Sequence, residues 1–237
     1  MNPNYRILIK PSRFEILKIS GSTHSFPTHI HQCYCVGRID QGEKILVMPG
    51  RRHILKENDR FIIPPGTPHS CLVPDPQGVG YTVLCIKDPA SISETNLIST
   101  IPPSFDRVDT IRSLYRYALS YFRQVHSDED IMIRRLIRHI DRHLDEDLPI
   151  DGLAQTAGLN PFHLSHIFKR KTGLSIRQYI IQARIRKIRH RYSHRNTELT
   201  EAALDYGFYD QSHFIRHFKK HVGITPGLYQ NSITLLP

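Results

Sequence analysis

The chain has 237 residues, 39% of them apolar, which is enough for a core in each of two ordinary domains. No run approaches the roughly 18 uninterrupted apolar residues of a membrane span. Residues Met1 to Ser20 scatter Arg6, Lys10, Arg13, Glu15 and Lys18 among their apolar positions, unlike a secretion signal, so a cytoplasmic protein with no membrane contact is expected. The net charge of +10 is unevenly placed: residues 148–237 hold 13 Lys and Arg against 5 Asp and Glu, the remainder 19 against 17. A basic excess concentrated in this way favours a polyanionic partner. The four cysteines, Cys33, Cys35, Cys71 and Cys85, all lie in the N-terminal part and are too few for a disulfide framework.

Along the first hundred residues, short runs of Ile, Val, Phe and Tyr alternate with turn clusters at Asp40-Gln41-Gly42, Pro49-Gly50, Glu57-Asn58-Asp59 and Pro64-Pro65-Gly66. This punctuation predicts a sandwich or small barrel over residues 1–107. Within it, His29, His31, Cys33 and Cys35 occupy alternate positions, which on one strand would put them on one face. With His69 opposite, imidazoles and thiols would converge, a donor set suited to zinc, iron, nickel or copper. An organic effector held by the same groups, or a purely structural His/Cys cluster, fits the pattern as well. After Pro102-Pro103 the period changes to 3.6. Ile111, Leu114, Tyr115, Ala118, Leu119 and Phe122 form one helical stripe over residues 108–126, a linker or dimerisation helix that would make a homodimer, or equally a helix packed against its own barrel. Ile133, Leu136, Ile137, Ile140 and Leu144 form the next, opening a helical domain over residues 127–237.

That last domain repeats itself at an offset of 50. PFHLSHIFKRKTGLSIRQY, from Pro161 to Tyr179, aligns with QSHFIRHFKKHVGITPGLY, from Gln211 to Tyr229, and His163/His213, Phe168/Phe218, Lys169/Lys219, Gly173/Gly223 and Tyr179/Tyr229 are identical. Each copy follows a short helix and a glycine, Gly158 or Gly207, suited to a tight left-handed turn. A capping residue, Asn160 or Asp210, then opens a second helix that is apolar on one side and rich in hydrogen-bonding groups on the other.

The span from Leu148 to Asn231, with its GFYDQSHFIRHFKKHVGITPGLY segment, resembles the DNA-binding domain of the AraC/XylS family of bacterial transcription regulators. The segments HIHQCYCVGRIDQG and NDRFIIPPGTPHSC resemble the cupin-like effector domain that many such regulators carry at the N-terminus, with His29, His31, Tyr34, Gly37, Pro65, Gly66 and His69 at the pattern positions. The resemblance implies an α+β chain of two domains, a cupin-like β-barrel followed by an all-α bundle with two helix-turn-helix motifs. Such a chain would be a sequence-specific DNA-binding transcription regulator, an activator working with RNA polymerase, and controlled by a small-molecule or metal effector.

By motif position, Phe162, His163, Ser165 and His166 of the first unit, and Gln211, Ser212, His213 and Arg216 of the second, would face base edges of double-stranded DNA. Lys169, Arg170, Lys219 and Lys220 would face phosphate. In the first unit Ser165 and His166 replace the longer amide and guanidinium groups of some relatives, which suggests that it leans on phosphate contacts. The effector would meet His29, His31, Tyr34 and His69; a metal would take His29, His31, Cys35 and His69. Enzymatic cupins place a glutamate four or five residues after the second histidine, where this chain has Cys35 and Val36. A non-enzymatic regulator is therefore expected, with a metal-dependent cupin enzyme fused to a DNA-binding domain as the alternative.

Overall fold

The structure, a computed structural model, describes residues 4–10, 14–86, 128–195 and 203–235. The stripe expected over residues 108–126 lies outside them. Nine strands come first: β1 (Asn4–Lys10), β2 (Phe14–Ser22), β3 (Phe26–His29), β4 (Tyr34–Gln41), β5 (Glu43–Met48), β6 (Arg51–Lys56), β7 (Arg60–Ile63), β8 (His69–Leu72) and β9 (Val79–Ile86). The strand β9 is buried along nearly its whole length because it runs between β2 and β4 in the larger sheet. In contrast, β6 is an edge strand whose Arg51, Arg52 and Lys56 stay in water, charges that discourage edge-to-edge pairing.

The helices follow: α1 (Asp128–Arg142), α2 (Ile150–Ala157), α3 (Pro161–Thr172), α4 (Ile176–Arg195), α5 (Gln211–Val222) and α6 (Pro226–Asn231). The expected turn chemistry is present in both units. Gly158 and Gly207 sit at φ of 66° and 67°, and Asn160 and Asp210 cap α3 and α5 by accepting from the His163 and His213 amides. The repeat also governs the core. Phe168 packs edge-on to Tyr179 at 5.7 Å and Phe218 to Tyr229 at 5.4 Å, all four buried. None of the described helices is long and apolar enough to cross a membrane.

Among the described residues the strands form two sheets. One has six strands, β1, β2, β9, β4 and β7 in that order with a C-terminal strand beside β1, the other four in the order β3-β8-β5-β6. The sixth member, β10 (Ile233–Leu235), comes from the far end of the chain and pairs in parallel with β1, Ile7 opposite Ile233 and Ile9 opposite Leu235. A strand from the helical half is therefore built into the sheet of the β-rich half.

One corner of the β-rich half departs from the sequence expectation. His29 to Cys35 is not a single strand: the chain leaves β3 at His29, bends through residues 32–33, and enters β4, in the other sheet, at Tyr34. Strand alternation thus does not align these side chains; the crossing from one sheet to the other does.

Candidate functional site

Two surfaces carry chemistry. The first is the pair of second helices. On α3, Phe162, His163, His166 and Lys169 are exposed, Phe162 to 84%, and Ser165 is half-buried with its hydroxyl donated back to the Pro161 carbonyl at 2.7 Å. On α5, Gln211, Ser212, Arg216, Lys219 and Lys220 are exposed. His213 is half-buried, packed near Phe208 and His217 with ring centroids 5.6 and 4.6 Å away. Arg170 is engaged on the protein, its guanidinium donating to both Glu129 carboxylate oxygens at 2.8 and 2.7 Å. Tyr209, 91% exposed beside the Asp210 cap, is an aromatic group on this side that the motif reading passed over.

The second is a cavity of about 550 Å³ between the sensor and the helical half. Its sensor wall holds the histidine cluster, with ring centroids of His29, His31 and His69 4.1 to 5.0 Å apart. His29 Nδ1 donates to the Pro27 carbonyl at 2.7 Å and His69 Nδ1 to that of Thr67 at 2.9 Å. Each bond fixes the tautomer and leaves Nε2 as a bare acceptor or ligand. Burial, then the neighbouring His69, lowers the His29 pKa to about 3; burial also lowers those of His31 and His69, so all three are neutral near pH 7.

Next to them the sulfurs of Cys33 and Cys35 are 3.8 Å apart and those of Cys35 and Cys85 3.7 Å. Hydrogen bonds from Cys35 and Cys85 hold Cys33 well below its ordinary pKa. The contact with Cys33, together with burial, pushes the other two well above theirs. Lys44, buried in the same wall, sets its ammonium 3.5 Å from the Tyr81 ring centroid, and burial lowers its pKa. Tyr34 is buried but lies outside the cavity wall. Gly37 keeps β4 open to the Phe61 ring, whose nearest carbon is 2.1 Å from where a Cβ would stand; no side chain fits there without moving Phe61, itself part of the wall.

The helical half supplies the opposite wall, including Arg186 and Arg189 of α4 and His221 and Val222 of α5. The Nδ1 of His221 is buried without a hydrogen-bond partner. Arg189 bridges the halves, donating from Nε to Tyr229 Oη at 3.0 Å and from its terminal nitrogen to the Glu15 carboxylate. Burial opposes its charge, but Glu15 and Tyr229 more than compensate and raise its pKa. Gln32 donates to Tyr179 Oη at 3.2 Å, Gln182 to the Thr28 carbonyl at 3.1 Å, and His24 Nε2 to the Lys220 carbonyl at 3.1 Å. The repeat is therefore also a repeat of docking points. Of the equivalent tyrosines, Tyr179 is bonded by Gln32 and Tyr229 is linked to Glu15 through Arg189, and a Cβ on either equivalent glycine would press on the β-rich half, Gly173 on Pro68 and Gly223 on Phe26 and Tyr5.

Paired capped helices on a basic half, joined through a lined cavity to a β-rich half, define a helix-turn-helix regulator with a ligand-binding domain. Residues 14–157, more than half of the chain, match the AraC-like ligand binding domain, and residues 153–232 match a helix-turn-helix domain. The chain belongs to the AraC family of transcription regulators.

It is 30% identical over 116 residues to the HTH-type transcriptional activator AarP of Providencia stuartii, covering 49% of this chain and 86% of AarP. It is 36% identical over 105 residues to the right origin-binding protein of Escherichia coli K12, a match spanning 44% of this chain and 36% of that longer protein. The whole fold is similar to that of ToxT from Vibrio cholerae, with a TM-score of 0.61 at 13% identity over 94% of this chain and 99% of ToxT.

Proposed function

We propose that the protein activates transcription by binding a specific DNA sequence through α3 and α5, under control of a small anionic molecule in the interdomain cavity. One observation carries this reading: α5 presents Gln211, Ser212 and Arg216 to solvent at one end and walls the cavity with His221 and Val222 at the other. A ligand that favours one seating of α5 against the sensor changes the population able to bind DNA, by as much as its affinities for the two seatings differ. The volume suits a small molecule. Lys44 supplies a buried amine that an anionic group would hold in its charged form, and the bare imidazole nitrogens and His221 Nδ1 supply polar contacts. Activation, the role that the name of its relative AarP gives, implies contact with RNA polymerase. A regulator, not a cupin enzyme, is the reading that the docked helices support.

Two results test it. Sites selected from random DNA by the full chain should give one preferred sequence, and a panel of small carboxylates should contain a member that shifts its affinity. Lys44→Met should abolish that shift; a shift retained in full would place effector recognition elsewhere. On the DNA side, Arg216→Ala should cost about 1–3 kcal/mol at the selected site and relax preference at one base pair. Lys219→Ala should instead weaken all sequences nearly equally and flatten the salt dependence. Uniform weakening by Arg216→Ala would show that Arg216 reads no base.

A further inference from the structure

We propose that Cys33, Cys35 and Cys85, with His31, bind one thiophilic d-block cation of the zinc type in a tetrahedral site at the corner where β3 gives way to β4. The site goes beyond the effector reading and stands whether or not an anionic molecule occupies the rest of the cavity.

The spacing of the sulfurs carries the argument. A tetrahedral ion with bonds of about 2.3 Å to thiolate holds its sulfurs about 3.8 Å apart. Here the sulfur separations are 3.8 and 3.7 Å, Cys33 is hydrogen-bonded to both other thiols, and all four cysteines of the chain are free. Two of the three positions are fixed by the sheet, since Cys35 and Cys85 face each other across the β4–β9 ladder. The bend at residues 32–33 brings in the third. The ligand atoms of His31, Cys33 and Cys35 lie within 4.8 Å of one another, and Cys85 joins this group through its contact with Cys35 at 3.7 Å.

His31 also belongs to a second group, with His29 and His69, whose ligand atoms are equally close. Coordination number and softness separate them: three imidazoles leave a zinc-type ion with an open fourth position, whereas three thiolates and one imidazole close the tetrahedron with soft donors. Three thiolates and one imidazole leave a single net negative charge, and Arg186 and Arg189, whose charges already act on Cys33, stand across the cavity from it. The ion therefore belongs at the sulfur corner, one step from the His29, His31, Cys35 and His69 set that the spacing in sequence suggests. Its charge would also tighten the sensor against α4. Soft donors of this kind select zinc-type ions over magnesium or calcium.

The test uses the reduced, metal-free full chain, without a histidine tag, titrated with Co²⁺ alone and then with Zn²⁺. One equivalent of Co²⁺ should bring up thiolate-to-cobalt charge-transfer absorption and the intense visible bands of a tetrahedral ion, and Zn²⁺ should bleach both. X-ray absorption of the wild-type zinc protein should count three sulfur neighbours and one nitrogen, a measurement that needs no variant to fold. Cys85→Ser should weaken binding by about tenfold or more and lower the charge-transfer intensity, with its fold checked by circular dichroism. Cys71→Ser, at the cysteine outside the set, should titrate like the parent. The proposal is overturned by a folded protein that gives no charge-transfer absorption, or by binding of Cu⁺ with neither Co²⁺ nor Zn²⁺. A neighbour count dominated by nitrogen, or equal weakening by Cys71→Ser and Cys85→Ser, would overturn it too.

Discussion

Replacing Arg189 with methionine is expected to lower the unfolding free energy of the full chain by about 3 kcal/mol, the low end of the range for breaking a buried ion pair. The side chain keeps its apolar stem in the substitution but loses the guanidinium that grips Glu15 on β2 and Tyr229 on α6. What remains is the carboxylate of a residue only 9% exposed, now without its cation. The low end applies because Arg189 keeps 23% of its side chain accessible, so water can reach part of the pair. Urea unfolding of the parent and variant measures the difference. Adding Glu15→Gln to Arg189→Met should recover much of the loss, since it removes the stranded charge. If Arg189→Met costs nothing, or if the double variant is as unstable as the single, the pair does not join the two halves energetically.

The second large effect is expected from Gly207→Val, which should leave the second helix-turn-helix unit unable to form its turn. Gly207 sits at φ +67°, a region that β-branched residues avoid, and a Cβ there would lie 2.8 to 3.0 Å from the Arg184 guanidinium. That guanidinium cannot simply swing away, because it donates to the carbonyls of Leu144, Glu146 and Gly207 at 3.0, 2.8 and 3.1 Å and so ties α4 to two loops. Backbone strain and the loss of these bonds should together cost about 3 kcal/mol or more. Specific DNA binding should disappear while the signal of the β-rich half persists in circular dichroism. Gly207→Ala, which keeps the strain and part of the clash but adds no branch, should fall between. A Gly207→Val protein with parental DNA affinity would show that the turn tolerates another geometry.

Much of the helical half was legible from local chemistry. The offset repeat, the two left-handed glycines and the two capping side chains each act within a few residues, so sequence spacing locates them directly. The histidine and cysteine cluster was legible only in its membership. Alternation along one strand is not what gathers it; the bend between β3 and β4, and the pairing of Cys35 with Cys85, are. Cys85, Lys44, Glu15 and Arg189 had no local signal at all. A lysine in a strand reads as solvent-facing, and nothing near Arg189 in sequence says that a carboxylate 174 residues away will meet it. Arg170 shows the converse: its motif position suggests phosphate, yet Glu129, 41 residues earlier, takes its guanidinium.

Local sequence was enough for the class of each half, its turns and caps, the basic character of the helical half, and which side chains are available for chemistry. These follow from steric and hydrogen-bonding preferences that operate over a turn of helix or a pair of strand residues. Tertiary contacts set the rest: β10 joins the first sheet, Gly173 and Gly223 of the repeat abut the β-rich half, and α5 forms one wall of the interdomain cavity. Those outcomes depend on burial and charge pairing between segments far apart in the chain, where the free energy belongs to the contact and to neither segment alone.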